Sequence, residues 1–487
     1  GPAVRDARAA NATPRPQRWM RWGLDGWVLA AAGLVFWATS RSSYKLVLAP
    51  EGVPGISVNY WAFAGPALLW IGGALVAWRI GDTILRRGDR VLAQLATPVA
   101  GTVAGVVAAS MHRQHRLLAR SLVVVALTVS FAASTAIFNE TYRHQAEVDA
   151  RLTNGANVTV TEPPTATVGA GFAARLERVP GVSSVEPLQH RFAYVGADLQ
   201  DLYGVRPSTV VKAASLQDAY VAGGSVQRLM NDLAAQPDGV LVSAETVHDF
   251  QLRPGDRVTL RLQDGRTKQL RDVTFHYIGV AKEFPTAPRD SFLVANASYV
   301  AQATGSDAVG TFLLDTHQAP KTVASAVRRV VGTDAIVTDI DTTRRIVGSS
   351  LTAVDLSGLT RVELGFALVL AAAATGLMLV LGLAERRRTF AVLHALGASR
   401  RQVAGFLWSE GTFVTVGGLL AGAVGAWTLS WMLVKVLTGV FDPAPAGLVV
   451  PWGYLGATAS LAVLSSVGAI VSYLALSHPS VHVLRES

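Results

Sequence analysis

The chain has no cysteine. Disulfide frameworks, thiolate metal sites and cysteine nucleophiles are therefore excluded, and any domain outside a membrane must hold itself together by packing alone. The pattern G-x-x-x-x-G-K-[ST] is also missing; this is the glycine-rich loop whose backbone N–H groups cradle nucleotide phosphates. Energy drawn from a nucleotide must then enter through another polypeptide. Nor does the sequence assemble a catalytic constellation. Ser243 lies in LVSAE instead of a G-x-S-x-G elbow, and His248, beside Glu245 and Asp249, finds no triad or metal-ligand spacing with His276 or His317. The three histidines read as ordinary surface groups. The opening stretch GPAVRDARAANATPRPQRW has no apolar core and is not a secretory signal. Residues 1–21 read instead as the cytoplasmic tail of a preceding module.

What is abundant is apolar sequence: hydrophobic residues make up 50% of the 487 positions, and mean hydropathy is +0.34. That exceeds the soluble norm, and membrane segments must supply the excess. Six runs qualify: Gly26–Ala38, Trp61–Ile80, Ser121–Asn139, Val362–Leu383, Gly411–Val434 and Trp452–Leu474. Crossing the hydrocarbon takes ~20 residues. The first run reaches this only with its flanks, where Trp22 and Trp37 are suited to the interface. Asp25, Glu363 and Glu410 stand at span ends and are expected at the interface. Gly417, Gly418, Gly422 and Gly425 predict a small face for close helix contact.

Residues 84–120 carry Arg86, Arg87, Arg90, Arg113, Arg116 and Arg120, and Gln94, Pro98, Gly101 and Gly105 interrupt the apolar run between them. The stretch is read as an interfacial helix leading into the next span. His112 and His115, with arginines around them and no neighbouring carboxylate in the sequence, belong to a cationic collar and not to a metal site.

Net charge is +9, unevenly spread: Glu140–Thr360 holds 21 basic and 24 acidic residues, the remainder 22 and 10. Because the basic residues flank apolar runs, nucleic acid is excluded as a partner. The central block alternates strand patterns with turn signals. Asn157–Thr161 and Val182–Val195 are expected strands around a helix at Gly171–Val179. Gly239–Val242, Arg257–Leu262 and Leu270–Val280 continue the strands, with a helix from Ala244 and a hairpin signal at Asp264–Gly265. Ser291–Ala295, Val309–Asp315, Thr322–Val331 and Ala335–Asp339 repeat strand, strand, helix, strand. The expected fold class is an α-helical membrane protein of six transmembrane helices with an inserted extracytoplasmic α+β domain of two lobes. Its parts are a linker pair of spans (22–83), the interfacial segment (84–120), a span (121–140), the outer domain (141–360), three spans (361–476) and a cytoplasmic tail (477–487).

One charged stretch, LAERRRTFAVLHALGASRRQVAGFLWSEG, sits between the fourth and fifth runs. Phe390, Val392, Leu393 and Leu396 mark a short amphipathic helix that Gly397 closes with positive φ. Ser399 and Gln402 have the spacing of a capping box, which starts a second helix at once. The result is a bent basic bracket over 384–410, gripped at both ends by membrane spans.

The bracket resembles the cytoplasmic coupling segment of FtsX-like permeases, the ABC membrane subunits that include MacB, the LolC and LolE pair and FtsX. The matching positions are Glu385, Arg386 to Arg388, Ala395 to Ser399, Arg400, Arg401 and Glu410. LVSAETVHDFQLRPGDRVTLRL resembles the extracytoplasmic core domain of MacB and LolC. The resemblance implies a non-enzymatic permease without cofactors of its own, ATP and Mg being bound by a partner ABC ATPase dimer. The bracket would meet that dimer through Leu396, Gly397, Ala398, Ser399, Arg400, Arg401 and Gln402. The linker pair 22–83 looks like the joint in duplicated, ten-span members, of which this chain would be the C-terminal half. A second FtsX-like half is then expected as a partner, whether covalently upstream, on a separate chain or as a homodimer. Membrane lipid and an extracytoplasmic lipoprotein or hydrolase complete the expected partners. Two functions follow: mechanical export or extraction of hydrophobic, lipid-linked or peptide cargo, or signalling that actuates a cell-wall hydrolase. A plain membrane anchor would have no use for the bracket.

Arginine-rich segments all fall on one side if there are six spans, and the positive-inside rule makes that side cytoplasmic. The expected location is the bacterial cytoplasmic membrane, with both termini inside and residues 141–360 outside. Single-cysteine labelling in intact cells should therefore reach a probe at Gly223 and not one at Ala398. Labelling of both from one side refutes the orientation.

Overall fold

Unbroken apolar runs become long helices and period-two segments become strands, and the two kinds separate into two compact units. Gly1–Tyr142 with Leu356–Ser487 form one, and Arg143–Asp355 the other. The computed structural model describes residues 18–41, 47–48, 54–55, 63–88, 90, 92–94, 97, 104–163, 166–287, 291–350, 365–367, 369–370, 372–373, 376–377, 399–436, 445 and 447–476.

The first helices are α1 (Leu24–Arg41), α2 (Ala64–Arg87), α3 (Ala104–Arg113) and α4 (His115–Asn154). Residues 84–120 are thus not one interfacial helix; among the described residues they comprise the end of α2, helical residues at 90, 92–94 and 97, all of α3 and the start of α4. Gly88 ends α2, its N–H donating to the Ile84 carbonyl at 2.8 Å, and a side chain there would collide with that carbonyl. Nor does α3 lie free on a surface. Ala104, Val107, Ala108 and Met111 are buried in a cluster with Leu85 of α2 and Leu118 of α4. Its apolar stripe is matched by helix neighbours, which the sequence alone could not supply.

In the second unit β1 (Val158–Thr161), β2 (Val182–Val195) and β3 (Asp198–Val205) are followed by α5 (Val226–Ala235), β4 (Gly239–Ser243) and α6 (Ala244–Phe250). Then come β5 (Arg257–Gln263), β6 (Leu270–Ala281), β7 (Phe292–Asn296), α7 (Ala297–Thr304), β8 (Thr311–Thr316), α8 (Pro320–Val331), β9 (Ile336–Asp339) and α9 (Ile340–Ser350). The strand order is β9-β1-β8-β2-β3-β7-β4-β6-β5, and β5 pairs again with β2, which closes the last six strands into a ring. β2 serves both halves. Val182–Leu188 pairs with β8, while Gln189–Val195 pairs with β3 and Ala193–Val195 with β5.

Alternation explains which side faces inward. Val258, Leu260 and Leu262 of β5 join Ala193, Leu202, Val240, Phe275 and Leu293 inside the ring, while Arg257, Thr259, Arg261 and Gln263 point out. β4 and β7 are buried on both faces because Val226, Met230 and Leu233 of α5 cover Leu241 and Val294. Each such side chain contributes roughly 1.5–3 kcal/mol, so packing can hold a cysteine-free unit. The remaining strands form a second core, where Val158, Val160, Phe312 and Leu314 meet Val323 and Val327 of α8.

The expected helix at Gly171–Val179 shrinks to a 3₁₀ turn, Ala170–Phe172, and one short helix, Ala173–Leu176. Helices α5 and α7 have no counterpart in the sequence reading, although caps announce both: Ser225 accepts from the Arg228 N–H, and Asn296 from the Ser298 N–H. The hairpin at Asp264 is wider than a two-residue turn. Gln263 pairs with Leu270, and the Asp264 carboxylate accepts from the Arg266 and Thr267 N–H groups at 2.9 and 2.8 Å.

The chain closes with α10 (Arg400–Val436) and α11 (Trp452–Leu476). Among the described residues four helices are long and apolar enough to cross a membrane: Ala64–Arg87, His115–Asn154, Ala404–Val436 and Trp452–Ser472. Leu24–Thr39 is apolar but shorter. The expected span Val362–Leu383 lies largely outside the described residues, as does the bracket's first helix.

The glycine face of α10 lies on α4. A methyl on Gly417, Gly418, Gly422 or Gly425 would come within 2.5–2.8 Å of Leu122, Val125, Val129 or Ser130. Gly422→Ala should consequently cost about 1–3 kcal/mol through overpacking. Gly73→Ala, where nothing lies within 4 Å, should cost none. Denaturant unfolding of the purified full chain measures both, and equal effects would refute the packing account.

Candidate coupling site

The head of α10 is built by two reciprocal hydrogen bonds. The Ser399 N–H donates to Gln402 Oε1 at 2.9 Å, and the Gln402 N–H donates to Ser399 Oγ at 3.4 Å. A capping box satisfies donors that a helix start otherwise leaves to water. Just beyond it, Phe406 and Leu407 are buried in the cluster that holds Val107 and Met111 of α3, Leu85 of α2 and Leu118 of α4. The first turns of α10 are therefore capped at one end and packed into three other helices at the other.

Of the seven expected contact residues, Ser399 and Gln402 form this cap, and the backbone of Arg400 and Arg401 forms the first turn. Leu396, Gly397 and Ala398 lie outside the described residues. Glu410, expected at an interface, is buried at 5% exposure. On the neighbouring face of α11, Thr415 Oγ1 donates to Ser466 Oγ at 2.9 Å, a polar tie between two apolar helices.

A second cluster joins the same helix ends. Arg79 pairs with buried Asp25 at 2.6 Å, tying α2 to α1. Buried Asp82 of α2 receives His115 Nε2 at 3.5 Å and Arg86 at 3.7 Å. His115 Nδ1 lies 2.8 Å from the His112 carbonyl, which can only accept, so Nδ1–H is the donor in that contact. The histidines were expected among arginines without a carboxylate, and this is corrected: tertiary approach of α2 brings one. Asp82 itself was the available signal, because an ionisable residue inside an apolar helix needs a partner there.

In the second unit several of the polar residues singled out in the sequence make local structural contacts. Ser243 Oγ caps α6 by accepting the Thr246 N–H at 3.2 Å, and it donates to Thr246 Oγ1 at 2.9 Å, which donates to Gln200 Oε1 at 2.9 Å. His276 Nδ1 meets Asp238 at 2.7 Å, and His317 meets Ser183 at 3.3 Å. The sequence reading passed over His190, whose Nε2 meets Asp201 at 2.6 Å and whose ring stacks on Tyr203 at 5.0 Å. Burial, reinforced by Asp201, pushes the Tyr203 phenol above its ordinary range, and its O–H donates to the Thr286 carbonyl. That phenol is a neutral donor and not a nucleophile. Among the described residues no three His, Asp or Glu side chains group as metal ligands.

Residues 361–480 match the FtsX-like permease C-terminal domain. No curated protein matches the chain. Among solved structures, the extracellular domain of the noncanonic ABC-type transporter YknZ from Gram-positive bacteria is 16% identical, covering 37% of this chain and 99% of that one at a TM-score of 0.26. A heavy metal efflux pump is 12% identical, covering 95% of this chain and 67% of that one at a TM-score of 0.14. Likenesses this distant carry no weight for fold or function.

The cap yields a local test. Ser399→Ala should destabilise the head of α10 by about 0.5–2 kcal/mol, and Gln402→Ala should have a smaller effect in the same direction. Amide hydrogen exchange at residues 399–402 should quicken while the centre of α10 stays protected. Unaltered exchange would show that the box contributes nothing.

Proposed function

We propose, from the match of residues 361–480 to the FtsX-like permease C-terminal domain, that the chain is the membrane permease subunit of an ABC transporter, driven by a separate ATPase dimer that binds the ATP and Mg. The observation that carries this reading is the Ser399–Gln402 box at the head of an unbroken 37-residue helix whose apolar part is Ala404–Val436. A helix in which each N–H is bonded one turn back transmits axial and tilting displacement with little loss. A reciprocal cap stiffens the turn where displacement would enter. Phe406 and Leu407 would pass the same displacement sideways to α3, and through it to α2 and α4.

In this reading the ATPase docks on residues 384–410 at the cytoplasmic face of the cell membrane, with Arg400 and Arg401 as its charged contacts. A second FtsX-like half completes the membrane part. Residues 141–360 lie outside and act on hydrophobic, lipid-linked or peptide cargo, so that the work is mechanical export or extraction. Ser243, Thr246, His276 and His317 of that unit are engaged in a cap and local contacts, which fits movement better than chemistry there.

The test is the double variant Arg400→Ala/Arg401→Ala. In this reading both side chains face the ATPase, and charge changes at such a surface typically alter stability by less than about 0.5 kcal/mol, so the variant should insert and fold like the parent. Its affinity for the cognate ATPase should fall about tenfold, or about 1.4 kcal/mol, and cargo-dependent ATP turnover should fall with it. Parental values for both would mean that the segment is only a basic loop.

A further inference from the structure

Where α2 ends and α4 begins, cations outnumber their partners. The two buried carboxylates are already engaged, Asp25 by Arg79 and Asp82 by His115 and Arg86. Arg87, Arg90, Arg113 and Arg120 are exposed, and none of the four has an ion pair among the described residues. Arg120 is nonetheless held in place, its guanidinium 5.6 Å from the centre of the Trp78 ring. Such a contact orients the cation without neutralising it.

The surface running away from that cation is apolar. On α4 the positions four, seven and eleven residues beyond Arg120 are Val124, Leu127 and Phe131, the first two half-buried and the last 48% exposed. These spacings keep them on one helix face. The same order recurs on α2, where exposed Ile80 and Ile84 lead to Arg87. One cation at the rim with apolar rungs toward the membrane centre matches a phosphate above an acyl chain. An inorganic anion would use the cation and leave the rungs unexplained.

We propose that Arg120, seated on Trp78, binds the phosphate of an anionic phospholipid of the cytoplasmic leaflet, with one acyl chain along Val124, Leu127 and Phe131. Arg87, Arg90 and Arg113 lie around that contact, and the choice of an anionic over a zwitterionic headgroup is made at Arg120 itself. The site needs the membrane orientation alone and is independent of any ATPase, so it stands or falls separately from the transport reading.

The experiment uses the full chain, reconstituted without ATPase into vesicles of phosphatidylcholine with a minority of phosphatidylglycerol, then extracted in mild detergent for native mass spectrometry. The parent should retain phosphatidylglycerol about fivefold over phosphatidylcholine relative to bulk, the preference that one juxtamembrane arginine confers. Arg120→Gln should abolish that preference, Arg120→Lys should keep part of it, and Arg257→Gln, an equal charge loss on the outer unit, should leave it intact. Thermal midpoints of the variants separate loss of the site from loss of the fold. Equal retention of both lipids by the parent, an unchanged preference in Arg120→Gln, an equal loss in Arg257→Gln, or complete displacement of the lipid by inorganic phosphate would each overturn the proposal.

Discussion

Between Gly417 and Gly425 the α10 helix presents hydrogen where other helices present side chains, and Leu122, Val125, Val129 and Ser130 of α4 fill the space so created. In a lipid environment the hydrophobic effect does not drive helices together, so close van der Waals approach must do the work. Other placements in the helical unit depend on this one. With α4 and α10 in contact, α11 ties on through Thr415 and Ser466, and α3 finds a pocket lined by Leu85, Leu118, Phe406 and Leu407. A wider seam between α4 and α10 would draw Phe406 and Leu407 away from the buried face of α3.

The charged residues of these helices obey the same economy of position. Asp25, Asp82 and His115 are all buried near helix ends, where each meets a cation, a carboxylate or a carbonyl. Ionisable groups in apolar helices are costly unless paired. Pairing in turn selects the relative rotation of α1, α2 and α4. The arginines left over face outward at one end, so the internal pairing and the external positive rim come from one distribution of charge.

The second unit solves a different problem, that of a fold held together without cysteine. Closing six strands on themselves removes two sheet edges and buries Leu202, Val240, Leu260 and Leu293 in one interior. The long strand β2 does this by changing partners midway, from β8 at Val182–Leu188 to β3 and β5 at Gln189–Val195. Within this unit a polar run from Ser243 through Thr246 to Gln200 ties a helix cap to a strand.

By itself the sequence determined the elements whose causes are local. Apolar run length gave the long helices, alternation gave Arg257–Gln263 its two faces, and the spacing of Ser399 and Gln402 gave the cap that the structure contains. The resemblance of the bracket pointed to the family that residues 361–480 match. Tertiary structure alone decided what depends on partners distant in the chain. The Asp82 carboxylate beside His115, the burial of Glu410, the division of residues 84–120 and the pairing of Ala193–Val195 with β5 all lack a local signature. Helices α5 and α7 fall between these cases, since their caps are readable but their apolar faces are short and acquire meaning only against the sheet they cover. Local preference reports what a segment does with its own neighbours; burial and charge pairing are settled by whatever surface the rest of the chain brings alongside.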